Sequence, residues 1–166
     1  NMMKHNLIIF LLSAILSIAA GKAQHFGTNE SDTKPITWRA NARMISNTEG
    51  VITFTATMTE GWHLYGMQMP ADGPKPTRFS FEQKHGVVFN GKLSVDKAPI
   101  KKHDSLYNSE VEYWEGTVVF KQPFRISNQD VQGLRIKCYV DFMGCNDATC
   151  LPPERKTFNL RILPKR

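Results

Sequence analysis

The sequence contains three cysteines, and their surroundings predict two different roles. Cys138 lies within Leu134–Met143, where apolar and polar residues alternate. Such alternation is typical of a β-strand with one face in the core, and it places Cys138 on the same face as Ile136 and Val140. We therefore expect Cys138 to be a buried, reduced thiol that packs as a small apolar side chain and has no redox role.

Cys145 and Cys150 lie just beyond this strand. They bracket the polar segment Asn146–Thr149 and precede the rigid pair Pro152–Pro153. A turn can bring two such cysteines within disulfide distance. A disulfide that closes so small a ring contributes only about 2 kcal/mol in the chain-entropy account, which is little for a domain with an ample core. Spacing and placement therefore favour a redox function over a purely structural disulfide, and both remain open.

The beginning of the sequence predicts export from the cytoplasm. Lys4 and His5 precede an apolar block, Leu7–Ala20, and small residues follow it. A transmembrane helix needs about 18 or more continuous apolar residues, so a retained membrane anchor is the less favoured alternative. We expect residues 1–23 to be a cleaved signal peptide, which would place the mature protein where disulfides persist.

Composition predicts a single all-β domain. The chain has 166 residues, 41% of them hydrophobic and 22% charged, which excludes collagen-like, coiled-coil and disordered classes. The formal net charge is +6, but the basic residues are scattered, so we expect no nucleic-acid partner. We interpret residues 24–35 as a polar, disordered lead-in and residues 36–166 as the domain.

Short apolar segments separated by turn residues predict an immunoglobulin-like antiparallel β-sandwich of seven to nine strands. The segment Lys92–Trp114 shows no strand pattern, and we expect it to be a long irregular loop with a functional role. The expected strands are Ile36–Ile45, Val51–Met58, Arg78–Glu82, Val87–Phe89, Gly116–Ile126, Leu134–Met143 and Lys156–Leu163, with Trp62–Gly66 following a turn at Glu60–Gly61.

Three segments, in their order along the chain, carry a resemblance to a known family. Val140–Glu154, with its two cysteines and two prolines, resembles the active-site segment of the N-terminal periplasmic domain of the thiol:disulfide interchange protein DsbD. Glu60–Tyr65 is similar to that family's glycine-aromatic-x-Leu-Tyr segment, and His103–Tyr107 falls where the family has a loop that caps its active site. The resemblance covers roughly Ile36–Leu163 and implies an immunoglobulin-like sandwich whose cysteine pair cycles between dithiol and disulfide.

The resemblance also implies roles for single residues. Cys150 matches the family cysteine that forms a mixed disulfide with a partner, and Cys145 matches the cysteine that resolves it. Tyr65 and Asp104 match the polar neighbours of the pair. An anionic Asp104 beside the pair would raise a thiol pKa, so we expect a slow nucleophile until a partner docks.

The chain departs from the family pattern at three places. His63 stands where the family usually has an aromatic residue. Leu106, which precedes Tyr107 in the cap segment, stands where the better-known members carry Phe. The spacing between the two cysteines is one residue shorter than in those members. We expect the cap to shield the pair less well than a phenylalanine ring would.

The resemblance further implies partners and a location. In the family, the domain takes electrons from the thioredoxin-like domain of a membrane reductase and passes them to a periplasmic disulfide isomerase or a cytochrome c maturation thioredoxin. We therefore expect a periplasmic, monomeric relay without a cofactor or metal, acting as a component of a protein-disulfide reductase. The sequence ends at Arg166, and we expect either a stand-alone relay or the front part of a longer protein.

Two other classes of function remain open. One is a non-catalytic secreted sandwich with a permanent disulfide, and its reduction potential would lie below the glutathione range. The other is a copper-binding module, in which soft ligands would hold Cu(I), although their spacing is not a metal signature. We interpret His63, His85 and His103 as solvated side chains and not as catalytic bases. The candidate copper ligands are Cys145, Cys150, His63, Met67, Met69 and Met143.

Overall fold

The structure is a computed structural model that describes residues 34–127 and 133–166. Neither range contains a helix, so neither offers one that could cross a membrane. The predicted signal peptide and nearly all of the predicted lead-in lie outside the described residues. The strands are β1 (Ile36–Met44), β2 (Glu49–Met58), β3 (His63–Tyr65), β4 (Arg78–Phe81), β5 (Val87–Phe89), β6 (Ser94–Val95), β7 (Ile100–Asp104), β8 (Ser109–Glu115), β9 (Thr117–Ile126), β10 (Arg135–Phe142), β11 (Gly144–Cys145) and β12 (Glu154–Leu163).

The larger of two sheets forms the body of the domain. Its strands run in the order β4-β10-β12-β1-β2-β9-β5, and β6 also pairs with β9. All of these pairs are antiparallel except β1 and β12, which run parallel with Ala42 opposite Ile162. Along β2 the threonines are more exposed than the apolar residues between them, as the alternating pattern predicts; the buried apolar residues are Ile52, Phe54, Ala56 and Met58.

The smaller sheet covers the inner face of the larger one and has the order β11-β3-β8-β7. Its inner face contributes Leu64 and Trp114 to the main core. The Trp114 ring packs edge-on against Phe120 of β9, with 5.1 Å between the ring centroids. The predicted all-β, immunoglobulin-like sandwich is therefore confirmed.

The expectation of an irregular segment over Lys92–Trp114 is wrong, because β6, β7 and β8 lie within it. The strand β7 is at the edge of its sheet and is largely exposed on both faces, so its sequence has no reason to alternate. Adjacent Tyr113 and Trp114 of β8 are both buried because each face of this strand is covered. The strand β7 therefore lacks the apolar-polar period that marks a half-buried strand, and in β8 that period runs only over Glu110–Tyr113 before buried Trp114 interrupts it.

Candidate functional site

Cys145 and Cys150 form a disulfide across a short turn. Their Cα atoms lie 4.0 Å apart, and the two residues also pair as an isolated antiparallel bridge. The Asn146 amide donates to the Thr149 carbonyl at 2.9 Å. The Asn146 Oδ1 atom accepts hydrogen bonds from the amides of Ala148 and Thr149 at 2.9 and 2.8 Å. The asparagine side chain thus fixes the turn from within, as Asx turns do.

The two sulfur-bearing residues differ in exposure. Cys145 ends β11 and is fully buried, whereas Cys150 is half-buried. Thiol exchange proceeds by in-line attack on one sulfur, and the more exposed sulfur is the one a second protein can reach. Cys150 is therefore the sulfur that a second protein could reach, whereas Cys145 is enclosed.

Close packing holds β11 in place. A Cβ atom added to Gly144 would overlap the end of the Ile36 side chain, so the glycine lets this side chain pack directly against β11. The Leu151 amide donates a hydrogen bond to the Gly144 carbonyl at 2.9 Å. The residue after Cys150 is thereby joined to the residue before Cys145.

Cys138 is a free thiol buried in the main core, as its alternation predicts. Its neighbours on β10 that share this face, Ile136 and Val140, are also fully buried. Burial raises the pKa of the Cys138 thiol to about 12. This cysteine is therefore protonated and unreactive at neutral pH.

The outer face of the smaller sheet carries the disulfide. In the β11–β3 pair Cys145 is opposite His63, and in the β3–β8 pair Tyr65 is opposite Tyr113. Residues directly opposite in a sheet point to the same side. A second cluster of buried and half-buried side chains forms there, apart from the main core, from Tyr65, Met69, Tyr107, Val111, Tyr113, Met143, Cys145 and Cys150.

Tyr65 connects the disulfide to the hairpin formed by β7 and β8. Its hydroxyl donates a hydrogen bond to Asp104 Oδ2 at 2.6 Å, and its oxygen lies 3.9 Å from Cys150 Sγ. Burial raises the pKa of Tyr65, and the neighbouring Asp104 raises it further. The Tyr65 hydroxyl is therefore a neutral donor over the whole physiological pH range.

Asp104 is held as a carboxylate at the end of β7. Burial alone would raise its pKa, but hydrogen bonds from Tyr65 and from two backbone amides lower it below the usual value. Those amides belong to Leu106 and Tyr107 and lie 2.8 and 3.3 Å from Asp104 Oδ1. The carboxylate therefore fixes the start of the hairpin turn while it holds Tyr65.

The segment expected to cap the cysteines is the tip of this hairpin and not an irregular loop. Tyr107 lies against the site: its ring is 6.0 Å from that of Tyr65, at right angles, and its hydroxyl donates to Met143 Sδ at 3.7 Å. Leu106 is 49% exposed. In this oxidised state the tyrosine, and not the leucine, packs against the cluster that contains Cys145.

The interpretation of His63 as a solvated side chain is wrong. Its ring is half-buried and packs against Tyr65 and Tyr113, with centroid distances of 5.0 and 4.7 Å. Its Nε2 atom is buried and has no hydrogen-bond partner among the described residues. Burial lowers its pKa, opposed by the charges of nearby carboxylates.

Sequence patterns could have placed His63 but not Tyr113. In the expected strand Trp62–Gly66, His63 and Tyr65 stand two residues apart and so share a face. Tyr113 and Val111 belong to β8, which lies in the segment taken as irregular. No local pattern marked them as neighbours of the cysteines.

A groove of about 380 Å³ opens beside the disulfide turn. Charged groups of both signs face it from the hairpin and from the turn. Within the described ranges, no group of three or more His, Cys, Asp or Glu side chains is arranged to hold a metal ion. The residues that line the groove include His63, Lys102, Asp104, Leu106, Glu115 and Asp147.

Comparison with known proteins gives one family and several similar folds. The family described as thiol:disulfide interchange protein DsbD, N-terminal, matches residues 34–162. The N-terminal periplasmic domain of ScsB from Proteus mirabilis is similar with a TM-score of 0.57 and 16% identity, over 78% of this chain and 47% of that one. This chain therefore spans about half the length of the ScsB domain.

A second similar structure is the reduced N-terminal domain of DsbD from Neisseria meningitidis. It has a TM-score of 0.48 and 13% identity, over 75% of this chain and 84% of that chain. No curated protein sequence matches this chain.

Proposed function

Because the chain belongs to the family of the DsbD N-terminal domain, a thiol:disulfide interchange domain, we propose that it relays reducing equivalents through Cys145 and Cys150. In this proposal the electron donor is the thioredoxin-like domain of a membrane reductase. The acceptor is a periplasmic thiol-disulfide protein, either a disulfide isomerase or a cytochrome c maturation thioredoxin. The domain then works in the periplasm, after removal of residues 1–23.

The unequal exposure of the two cysteines is the observation that carries this proposal. In the reduction step, a donor thiolate attacks the Sγ atom of half-buried Cys150. The Cys145–Cys150 bond breaks, and its electron pair goes to Cys145 Sγ, which takes up a proton. The donor's second thiol then attacks the mixed disulfide, leaving an oxidised donor and a reduced Cys150.

The forward step uses the same two sulfurs in the opposite order. The Cys150 thiolate attacks an acceptor disulfide and forms a mixed disulfide with it. Cys145, deprotonated, then attacks Cys150 Sγ, and the acceptor leaves with both of its sulfurs reduced. Cys145 is fully buried, so it meets Cys150 and not the partner. One accessible and one enclosed sulfur therefore give the exchange a fixed order.

The tip of the β7–β8 hairpin supplies selectivity. Tyr107 packs against the cluster, and Tyr65 holds the hairpin through Asp104. The anionic Asp104 disfavours a thiolate at Cys150 in the free domain. A partner that displaces the hairpin tip would expose Cys150 and remove that charge, so exchange would follow docking.

Single-cysteine variants treated with oxidised glutathione test the proposal. The reduced Cys145→Ser variant should keep glutathione on Cys150, because no second thiol releases it. The reduced Cys150→Ser variant should take up little, because Cys145 is fully buried. Intact mass spectrometry measures both adducts. Equal trapping, or more at Cys145, would show that the roles are wrong.

The reduction potential of the wild-type pair is the second measurement. Equilibration with reduced and oxidised glutathione should give a mixture of dithiol and disulfide forms, as a relay requires. A pair that stays fully oxidised at roughly −300 mV would be a structural disulfide instead.

A further inference from the structure

The resolving step of the proposed exchange needs a base, and the burial of Cys145 limits where one can be. A thiol attacks as its thiolate, so Cys145 must lose its proton before it closes the disulfide. Its side chain is fully buried, and a thiolate without a partner in such a site is costly. A neighbouring protein group that accepts the proton would lower this cost.

His63 is placed to take this proton. It is directly opposite Cys145 in the β3–β11 pair, on the same face of the sheet. Opposite residues in antiparallel strands have Cβ atoms roughly 4.5–5.5 Å apart, within reach of an imidazole and a thiol. The His63 Nε2 atom is buried and has no hydrogen-bond partner among the residues that the structure describes. Tyr65 and Tyr113 hold the ring from two sides.

We propose that His63 is the proton-transfer residue of the exchange: its Nε2 atom accepts the Cys145 proton when Cys145 resolves a mixed disulfide. The inference rests on the proposed function. As the proton moves to Nε2, the Cys145 sulfur attacks Cys150 Sγ, and the bond between Cys150 and the partner breaks. The electron pair of that bond leaves with the partner's sulfur. In the opposite direction, the imidazolium returns the proton to Cys145 as the disulfide opens.

The charges around His63 suit this role. Burial lowers the pKa of His63, so the imidazole is neutral and able to accept a proton near pH 7. Three carboxylates raise that pKa in part and would stabilise the imidazolium formed during transfer, while Lys102 opposes them. The charged and titratable groups that face His63 are Asp104 and Lys102 of β7, Glu115 and Tyr113 of β8, Tyr65 of β3, Asp147 of the turn, and the cysteine pair.

The experiment compares wild-type protein with His63→Phe, which keeps an aromatic ring between Tyr65 and Tyr113. Each protein is reduced and mixed with excess oxidised glutathione. Acid quenching and mass spectrometry then follow two steps, formation of the glutathione adduct on Cys150 and its release as the internal disulfide closes. The rate constant of each step is measured from about pH 6 to pH 9, on either side of the usual thiol and imidazole values.

We expect only the second step to change. At pH 7, closure in His63→Phe should be slower by about tenfold or more, so the adduct accumulates. Wild-type closure should depend only weakly on pH above pH 7, because the lowered pKa of His63 favours the neutral imidazole there. Closure in the variant should rise about tenfold per pH unit, because it depends on the thiolate fraction of Cys145 alone.

Two further variants keep the test decisive. His63→Gln replaces the imidazole with a polar side chain that does not titrate, and it serves as the test if His63→Phe folds poorly. It should show the same changed pH dependence of closure. His103→Gln removes a second histidine that lines the same groove and should leave the profile unchanged. Equal closure rates in wild-type and His63 variants would overturn the inference.

Other outcomes separate this inference from the function on which it rests. A slowing of the same size at every pH would show a structural effect of His63 and would overturn its role in proton transfer. If His103→Gln changed the pH dependence of closure in the same way, the effect would come from the overall charge of the groove and not from proton transfer by His63. A wild-type protein that forms neither the adduct nor the internal disulfide would overturn the proposed function as well.

Discussion

The Tyr65 hydroxyl reaches over β8 to donate a hydrogen bond of 2.6 Å to the Asp104 carboxylate on β7. The same oxygen lies 3.9 Å from Cys150 Sγ. One side chain thus contacts both the hairpin that flanks the disulfide and the half-buried Cys150. We therefore expect the position of the hairpin and the accessibility of Cys150 to be coupled.

Tyr65→Phe should loosen this coupling. The variant loses a hydrogen bond to a charged acceptor, which typically costs about 1.5–3 kcal/mol of stability, although backbone amides still bind Asp104. We expect a lower free energy of unfolding in urea and faster oxidation of the reduced pair by oxidised glutathione. Unchanged oxidation at matched pH would show that the Tyr65–Asp104 bond does not restrain the hairpin.

Asp104 should contribute a pH-dependent part of the stability. Its pKa is lowered in the folded protein, so its contribution is fully present above its unfolded value and is lost as the pH falls through the folded value. The free energy of unfolding of wild type should therefore fall more steeply than that of Asp104→Asn between about pH 5 and pH 3. Urea denaturation at several pH values measures both slopes.

The matched control is Asp72→Asn, which removes an exposed carboxylate from the loop before β4. Its free energy of unfolding should fall between about pH 5 and pH 3 as steeply as that of wild type. If the free energy of unfolding of Asp104→Asn falls equally steeply, the hydrogen bonds around Asp104 do not hold the carboxylate in its charged form.

Tyr107 should shield the pair more than Leu106 does. The tyrosine ring packs against the cluster that contains Cys145, whereas Leu106 is 49% exposed at the hairpin tip. We expect Tyr107→Ala to speed oxidation of the reduced pair several-fold and Leu106→Ala to speed it less. Ile100→Ala, at the other end of β7 and 46% exposed, should have no effect. A larger effect of Leu106→Ala would assign the cap to the leucine.

Cys138 should remain outside the exchange. Its thiol is fully buried with a pKa of about 12, so iodoacetamide should label it only after denaturation. Cys138→Ala should cost about 1 kcal/mol through a small cavity and leave glutathione exchange unchanged. Mass spectrometry before and after dithiothreitol counts the labelled thiols. A disulfide that involves Cys138 in the oxidised protein would contradict this assignment.

Sequence patterns predict the larger sheet well and the smaller sheet poorly. The alternation over Leu134–Met143 correctly puts Cys138 in the core, because β10 has one buried face. The edge strand β7 has no such asymmetry, and in the doubly covered strand β8 the alternation is short and ends where Tyr113 and Trp114 are both buried. Their pairing depends on contacts between distant parts of the chain, which periodicity does not encode.

The environment of the cysteines shows the same limit. The turn of Cys145 and Cys150 is local, so its residues and spacing predict it. The burial of His63 depends on Tyr113, which arrives from β8. A histidine next to a turn looks solvated until that second strand is known. The prediction of a signal peptide over residues 1–23 lies outside the described residues and stays a prediction.

The hydrogen-bonded turn between the cysteines has a consequence for the driving force of the reaction. Backbone and Asn146 hydrogen bonds close this turn in addition to the sulfur–sulfur bond, and reduction would leave their donors and acceptors unchanged. After reduction, the two thiols would therefore remain neighbours, and each would present a high effective molarity to the other. A large effective molarity favours ring closure, which makes the dithiol a stronger electron donor. The asparagine in the turn would thus help to set which partners the domain can reduce.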